Sequence, residues 1–179
     1  MLSTSPAWAT CCRKLTKLKE SLRLGADYNL VQEVPAKAAQ TFLDFILYLE
    51  VKYPDRNWLP DRVKSWLSQP FDPSRPLTTI LAQGPSQVFG AHIGEEIVGQ
   101  ESRGFHGHFR IVDPEFQNQG IGTTLLDDLK SQYDYIEIDV LHGIGTKPGD
   151  PDLNQFYLNR GFRRTMDDSS RMVWRRSKS

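Results

Sequence analysis

The sequence has only two cysteines, Cys11 and Cys12, and they are adjacent. Neighbouring cysteines supply neither a disulfide framework nor spaced metal ligands, so a reducing, cytoplasmic setting is the simpler expectation. Excess charge is lacking too: 22 Lys and Arg balance 22 Asp and Glu, so bulk attraction to nucleic acid or a membrane surface is not expected. No apolar run is long enough to cross a bilayer; even "TFLDFILYLEVKY" is broken by Asp44, Glu50 and Lys52. Internal repeats and low-complexity segments are also missing. What is present is ordinary for one globular domain with a sizeable core: 179 residues, 39% hydrophobic and 25% charged.

The first residues differ from the rest. No acid precedes Glu20, while Arg13, Lys14, Lys17, Lys19 and Arg23 cluster, and Leu15, Leu18 and Leu22 recur at helical spacing. Residues 1–25 read as a basic extension with a short amphipathic helix, which either docks on its own domain or directs import into an organelle. It has no long apolar core of the secretory kind. The domain proper is expected over residues 26–179.

Along that domain, Asp27–Val34 reads as a strand and Pro35 as a helix start. Phe42, Phe45, Ile46 and Leu49 give the helix an apolar face. "DRVKSWLSQ" reads as a short helix, and "TTILAQG" as a strand or an extended connector. "SQVFGAHIGEEIVGQES" reads as a hairpin hinged at Gly94-Glu95. A strand over Phe105–Val112, the helix "GIGTTLLDDLKSQ" and a strand over Tyr135–Val140 follow. A short helix "DLNQFYLNR" and a terminal strand "RMVWRR" complete the chain, which points to a mixed α/β sheet.

Two glycines, Gly120 and Gly122, open the helix after Phe105–Val112. The first amides of a helix have no intrahelical partner and sit at its positive end, and glycines remove side chains that would hold an anion away. The spacing is neither that of a nucleoside-triphosphate loop nor that of a dinucleotide turn. A tight strand-to-helix turn is the alternative use of the pair.

The run Gln117-Asn118-Gln119-Gly120-Ile121-Gly122, placed after Val-Asp-Pro, resembles the acetyl-CoA signature of the GCN5-related N-acetyltransferases. "QFYLNRGF" resembles the family's second signature, a tyrosine four residues before Gly-Phe: here Tyr157, Gly161 and Phe162. The two occur in the family's order. The resemblance implies an α/β (mixed α+β) fold with a mostly antiparallel central sheet flanked by helices, whose fourth and fifth strands are parallel and splay apart. It implies acetyl-CoA as co-substrate, no metal, and direct acetyl transfer to a primary amine, either a small amine or a lysine side chain. Ile111 and Val112 would pair with the pantetheine arm. Gln117, Asn118, Gln119, Gly120, Ile121, Gly122 and Thr123 would hold the pyrophosphate, with Asn154 as a further cofactor contact.

Transfer needs a neutral amine, a polarised carbonyl and a proton for the leaving thiolate. By the resemblance Tyr157 serves the thiolate; a core aromatic beside Phe156 is the alternative. His106 and His108, two apart on a strand, share one face, and imidazoles titrate near neutrality. Either could relay the amine proton, with His106 ahead, and Glu101 is a reserve base. Arg110 stands where the family is usually apolar and could face phosphates, pair with an acid, or mark an altered cleft. Asp150 stands in place of a usual asparagine and could cap the last helix, with Pro151 at its first position. His142, after the fifth strand, is an exposed loop residue or touches the acceptor. The acceptor pocket would draw on Tyr53, Asp55 and Trp58, and on Asp167 and Asp168. Rival readings are a toxin-type enzyme that acetylates charged tRNA, using Arg160, Arg163, Arg164, Arg175 and Arg176, and a degenerate acyl-CoA-binding module. The resemblance also admits a homodimer.

Overall fold

The structure is a computed structural model that describes residues 28–33, 35–58, 61–69, 72, 74–98, 102–140, 145, 150, 152–166 and 170–177. The basic segment over residues 1–25, the reserve base Glu101, His142, Pro151 and the acids Asp167 and Asp168 lie outside them. Among the described residues no helix is long and apolar enough to cross a membrane.

Seven strands form one sheet: β1 (Asn29–Glu33), β2 (Leu77–Gln83), β3 (Val88–Val98), β4 (Arg103–Val112), β5 (Tyr135–Asp139), β6 (Arg163–Arg164) and β7 (Arg171–Arg175). Their order is β1-β2-β3-β4-β5-β7-β6. Four helices accompany them: α1 (Pro35–Lys52), α2 (Asp61–Leu67), α3 (Ile121–Gln132) and α4 (Leu153–Leu158). All strand pairs are antiparallel except β4 and β5. A parallel pair cannot be joined by a tight turn, and α3 is the crossover that brings the chain back.

Each face of the sheet has its own core, because successive strand residues point to opposite sides. On one face Phe42, Phe45, Ile46 and Leu49 of α1 pack against Leu81, Ala91, Ile93, Phe109 and Ile111. On the other, Ile121, Leu125, Leu126 and Leu129 of α3 pack against Ile80, Ala82, Phe105, Ile136 and Ile138. The helical spacing of those four α1 residues therefore marks a buried stripe, and each buried side chain contributes about 2 kcal/mol of transfer free energy.

The region after Gln83 corrects one expectation. Gly94 and Glu95 are not a hairpin hinge: β3 runs straight through them, with an irregularity in its pairing after Ile93. A Cβ at Gly94 would lie 2.3 Å from the His106 carbonyl oxygen and 2.5 Å from the Phe105 ring, so this glycine serves close strand approach. The "TTILAQG" stretch is β2, a nearly fully buried strand. The two-residue β6 carried no pattern of its own in the sequence.

The parallel pair parts midway. β4 and β5 are registered only from Gly104–Tyr135 to Gly107–Ile138; beyond that point Phe109–Val112 keep only their β3 side, and His108 is the residue skipped in the β3 register. Leu153 and Tyr157 of α4 line the resulting gap with His108, Ile111 and Asp139.

His92 on β3 is completely buried beside Phe105, and neither ring nitrogen has a hydrogen-bond partner. Burial, aided by the neighbouring Arg110 charge, pushes its pKa down to about 3. An unfolded histidine titrates near 6.5, so below that pH the unfolded chain takes a proton that the folded chain refuses. Stability from this group is therefore full above pH 6.5 and is lost as the pH falls toward 3. We expect the His92 share of the unfolding free energy to drop by about 2 kcal/mol between pH 7 and pH 5. Urea titrations of wild type and His92→Leu at both values test this; equal pH dependence in the two would remove His92 as the cause.

Candidate active site

The site is built at the end of β4. Asp113 is fully buried and is the hub of that corner. Its carboxylate accepts from Lys52 Nζ at 2.9 Å, the Tyr53 hydroxyl at 2.6 Å and the Glu115 amide at 3.0 Å. Burial disfavours the Lys52 ammonium, but its hydrogen bonds to Glu115 and Asp113 outweigh this and raise its pKa. The end of α1 is thereby clamped to the turn that leads into α3. That turn is left-handed twice, at Asn118 (φ 60°) and at Gly120 (φ 87°), the N-cap of α3.

Gly120 is thus required by its backbone, but Gly122 is not. A Cβ at Gly122 would meet nothing nearer than Val112 at 3.7 Å, an ordinary contact. The protein's own packing does not demand glycine there, and the room beside it is open to the cleft. The Thr123 amide turns back to the Gly120 carbonyl at 2.9 Å, which leaves the amides before it for a ligand.

A cleft of about 380 Å³ opens over this turn. Of the expected cofactor residues, Ile111, Val112, Gln117, Asn118, Gly120, Ile121, Gly122 and Thr123 line it, whereas Gln119 and Asn154 do not. Gln119 donates to the Glu115 carbonyl at 2.9 Å, and the Asn154 amide is held by Asp152 at 2.9 Å. The Val112 carbonyl, expected to be open, receives the Gln117 side chain at 3.4 Å.

Two arginines face the same cleft. Arg110 and Arg160 both lie over the Phe156 ring, 4.0 Å and 3.7 Å from its centroid. No ion pair joins either to a carboxylate among the described residues. Arg160 donates to Thr123 Oγ1 at 2.6 Å and to the Phe156 carbonyl at 3.0 Å, yet its Nε is buried without a partner. Burial lowers the Arg110 pKa, and Arg160 adds to this against the pull of Tyr157. Half-buried guanidinium groups without carboxylates are costly unless an anion arrives. This donor set, with an open helix N-terminus, fits a ligand carrying phosphate oxygens.

Where the strands part, the narrow gap holds His108, Asp139 and Tyr157. Tyr157 is buried with its ring 4.5 Å from the Arg110 guanidinium; burial raises its pKa and Arg110 opposes the rise. The phenol therefore keeps its proton at neutral pH. His106 and His108 do lie side by side, ring centroids 4.3 Å apart. They are not equivalent. His106 Nε2 meets Asp139 Oδ2 at 2.9 Å. For Asp139, burial alone would raise the pKa, but hydrogen bonds and charge from His106 and Arg171 bring it below the usual value. An ionised carboxylate only accepts, so His106 Nε2 is the donor in this contact. His108 is instead pushed down to about 4, first by burial and then by His106, and stays neutral.

Asp139, the last residue of a buried strand, gives no local signal in the sequence of facing His106 across the parallel pair. Neither does Trp66 of α2, whose ring packs on His108 at 4.5 Å. The expected acceptor residues Tyr53 and Trp58 lie elsewhere. Tyr53 holds Asp113, and Trp58 lines the larger cleft, packed where a Cβ on Gly145 would stand 2.1 Å away. Asp55 is exposed. Asp150 does not cap α4: it pairs with Arg56 at 2.7 Å, and Asp152 takes the N-cap by accepting from the Asn154 amide. Asp152 wins because it directly precedes the first helical residue, which the cap geometry requires.

The chain belongs to the acetyltransferase (GNAT) domain family, whose sequence profile matches residues 57–174. No curated protein matches it. Among solved structures it is similar to PaiA N-acetyltransferase from Thermoplasma acidophilum in complex with coenzyme A. That match has 13% identity over 84% of this chain and 99% of the other, at a TM-score of 0.52. It is similar as well to the glucosamine N-acetyltransferase region of a fungal multi-domain GH3 β-N-acetylglucosaminidase. There the identity is 15% over 80% of this chain and 18% of the other, with a TM-score of 0.52. At such identities the likeness is one of fold.

Replacing Asp113 by alanine would leave the Tyr53 hydroxyl, and in part the Lys52 ammonium, without the carboxylate that satisfies them. We expect a loss of about 3 kcal/mol in unfolding free energy. Urea denaturation at pH 7 measures it, and a change below about 0.5 kcal/mol would show that Asp113 is not an anchor.

Proposed function

We propose that this protein is an acetyl-CoA-dependent N-acetyltransferase acting on a primary amine, with its transferase domain over residues 26–179. The observation that carries the reading is the continuity of the site. The phosphate-fitting cleft at Gly120–Gly122 shares Arg110, Ile111 and Leu153 with the gap that holds Tyr157 and His108, and His106 lies beside His108. Family membership and a similar fold solved with coenzyme A support the choice of donor.

In this reading the amides before Thr123, with Arg110 and Arg160, bind the diphosphate of the donor. The open edge of β4 beyond Gly107 takes the pantetheine arm as an added strand would be taken. The amine nitrogen attacks the thioester carbonyl carbon, the carbon–sulfur bond breaks, and two proton movements balance the step. His106 Nδ1 accepts a proton from the amine, and the charge that develops on the ring is met by Asp139. Tyr157 supplies the proton to the departing sulfur. His108, held neutral, shapes the gap instead of acting as the base. Trp66 and the carboxylates of Glu95 and Asp139 give the acceptor side an aromatic wall and negative charge, suited to an ammonium-bearing substrate.

Calorimetric titration with acetyl-CoA tests the donor. Gly122→Asp puts a carboxylate into the empty room without straining the backbone, and we expect it to weaken binding at least tenfold while the fold persists. No binding by folded wild type would sink the reading. With an accepted amine, Tyr157→Phe is expected to slow turnover roughly ten- to a hundredfold with acetyl-CoA affinity nearly kept. For His106→Ala the loss is expected to be largest at low pH and to ease as pH rises, because more amine is then already neutral. A loss independent of pH would assign His106 a structural part only.

A further inference from the structure

The side chains beside the parted strands form a cluster that proton transfer does not exhaust. Glu95 on β3 and His106 and His108 on β4 each offer one ligand atom, and these atoms lie within 4.8 Å of one another. His108 Nε2 is buried without a hydrogen-bond partner, 3.6 Å from Glu95 Oε1. Two donors on one tetrahedral ion, with bonds near 2 Å, stand roughly 3.3 Å apart. The pair is already close to that separation.

The surroundings hold these groups ready. Each carboxylate gives one oxygen to an arginine and turns the other toward an imidazole. Glu95 Oε2 meets Arg75 at 3.1 Å, and Asp139 Oδ1 meets Arg171 at 3.1 Å. Asp139 Oδ2 lies 2.9 Å from His106 Nε2 and 4.0 Å from His108 Nδ1. A carboxylate behind a histidine fixes the ring and strengthens its other nitrogen as a ligand. Two imidazoles and one carboxylate suit zinc, cobalt or nickel, whereas magnesium and calcium require oxygen.

We infer that Glu95, His106 and His108 form a binding site for one divalent transition-metal ion of the zinc class, with Asp139 fixing the His106 ring from behind. The ion would occupy the lone pair that His106 needs as a base. If the transferase reading above holds, on which this consequence rests, the ion is an inhibitor and chelation restores acetyl transfer.

The test is a titration of the full chain, stripped of metal by a chelator, with Co²⁺ in the absence of acetyl-CoA. Visible ligand-field absorption should saturate at about one Co²⁺ per chain and vanish when Zn²⁺ is added. Glu95→Gln, His106→Gln and His108→Ala should each weaken binding by roughly tenfold or more. The combined Cys11→Ser, Cys12→Ser variant should bind as wild type does. Retained acetyl-CoA binding shows that a variant is folded; should His108→Ala fail that check, His108→Gln replaces it. Absence of the absorption, binding unchanged in all three site variants, or binding lost only with the cysteines would each overturn the assignment. Wild type that binds acetyl-CoA but not Co²⁺ refutes the metal site alone. Wild type that binds Co²⁺ but not acetyl-CoA refutes the transferase reading alone.

Discussion

The parting of β4 from β5 after the Gly107–Ile138 pair is the constraint on which the rest of the site depends. A sheet that stayed zipped would leave no unpaired backbone at Ile111 and Val112 and no gap beside Tyr157. Two backbone groups on an open edge cost free energy unless something pairs with them. The protein fills part of the opening with Leu153 and Tyr157 of α4 and with the Gln117 side chain, and leaves the remainder as a cleft.

Charge is distributed around that opening in two separate sets. At the cleft, Arg110 and Arg160 lie over Phe156 and line the same opening as the glycine turn. Across the gap, Glu95 and Asp139 face the two imidazoles and are each steadied by an arginine. Asp113 belongs to neither set. It is spent on structure, tying α1 to the turn, so the cradle keeps its shape while its ligand-facing groups stay free. Burial then decides how each histidine behaves. His92 and His108 are held neutral, while His106 is the one coupled to a carboxylate at 2.9 Å.

The amino-acid sequence by itself determined the turn chemistry, the apolar face of α1, the strand-helix-strand order around α3 and the two signatures that placed the chain in its family. These are local patterns: a glycine spacing, a helical period and an alternation can be read without knowing what lies opposite. It also placed His106 and His108 on one face, since strand geometry requires it. Only the tertiary structure decided which histidine sits at hydrogen-bond distance from a carboxylate, that Trp66 and not Trp58 packs on His108, and that Gly94 lies within a strand. The same holds for the position of Arg110, whose guanidinium lies against Phe156 and Tyr157 at the cleft. Each of these depends on strand register and on which residues face one another across the sheet. Such pairings join residues far apart in the chain, as His106 and Asp139 do, and no local pattern records them.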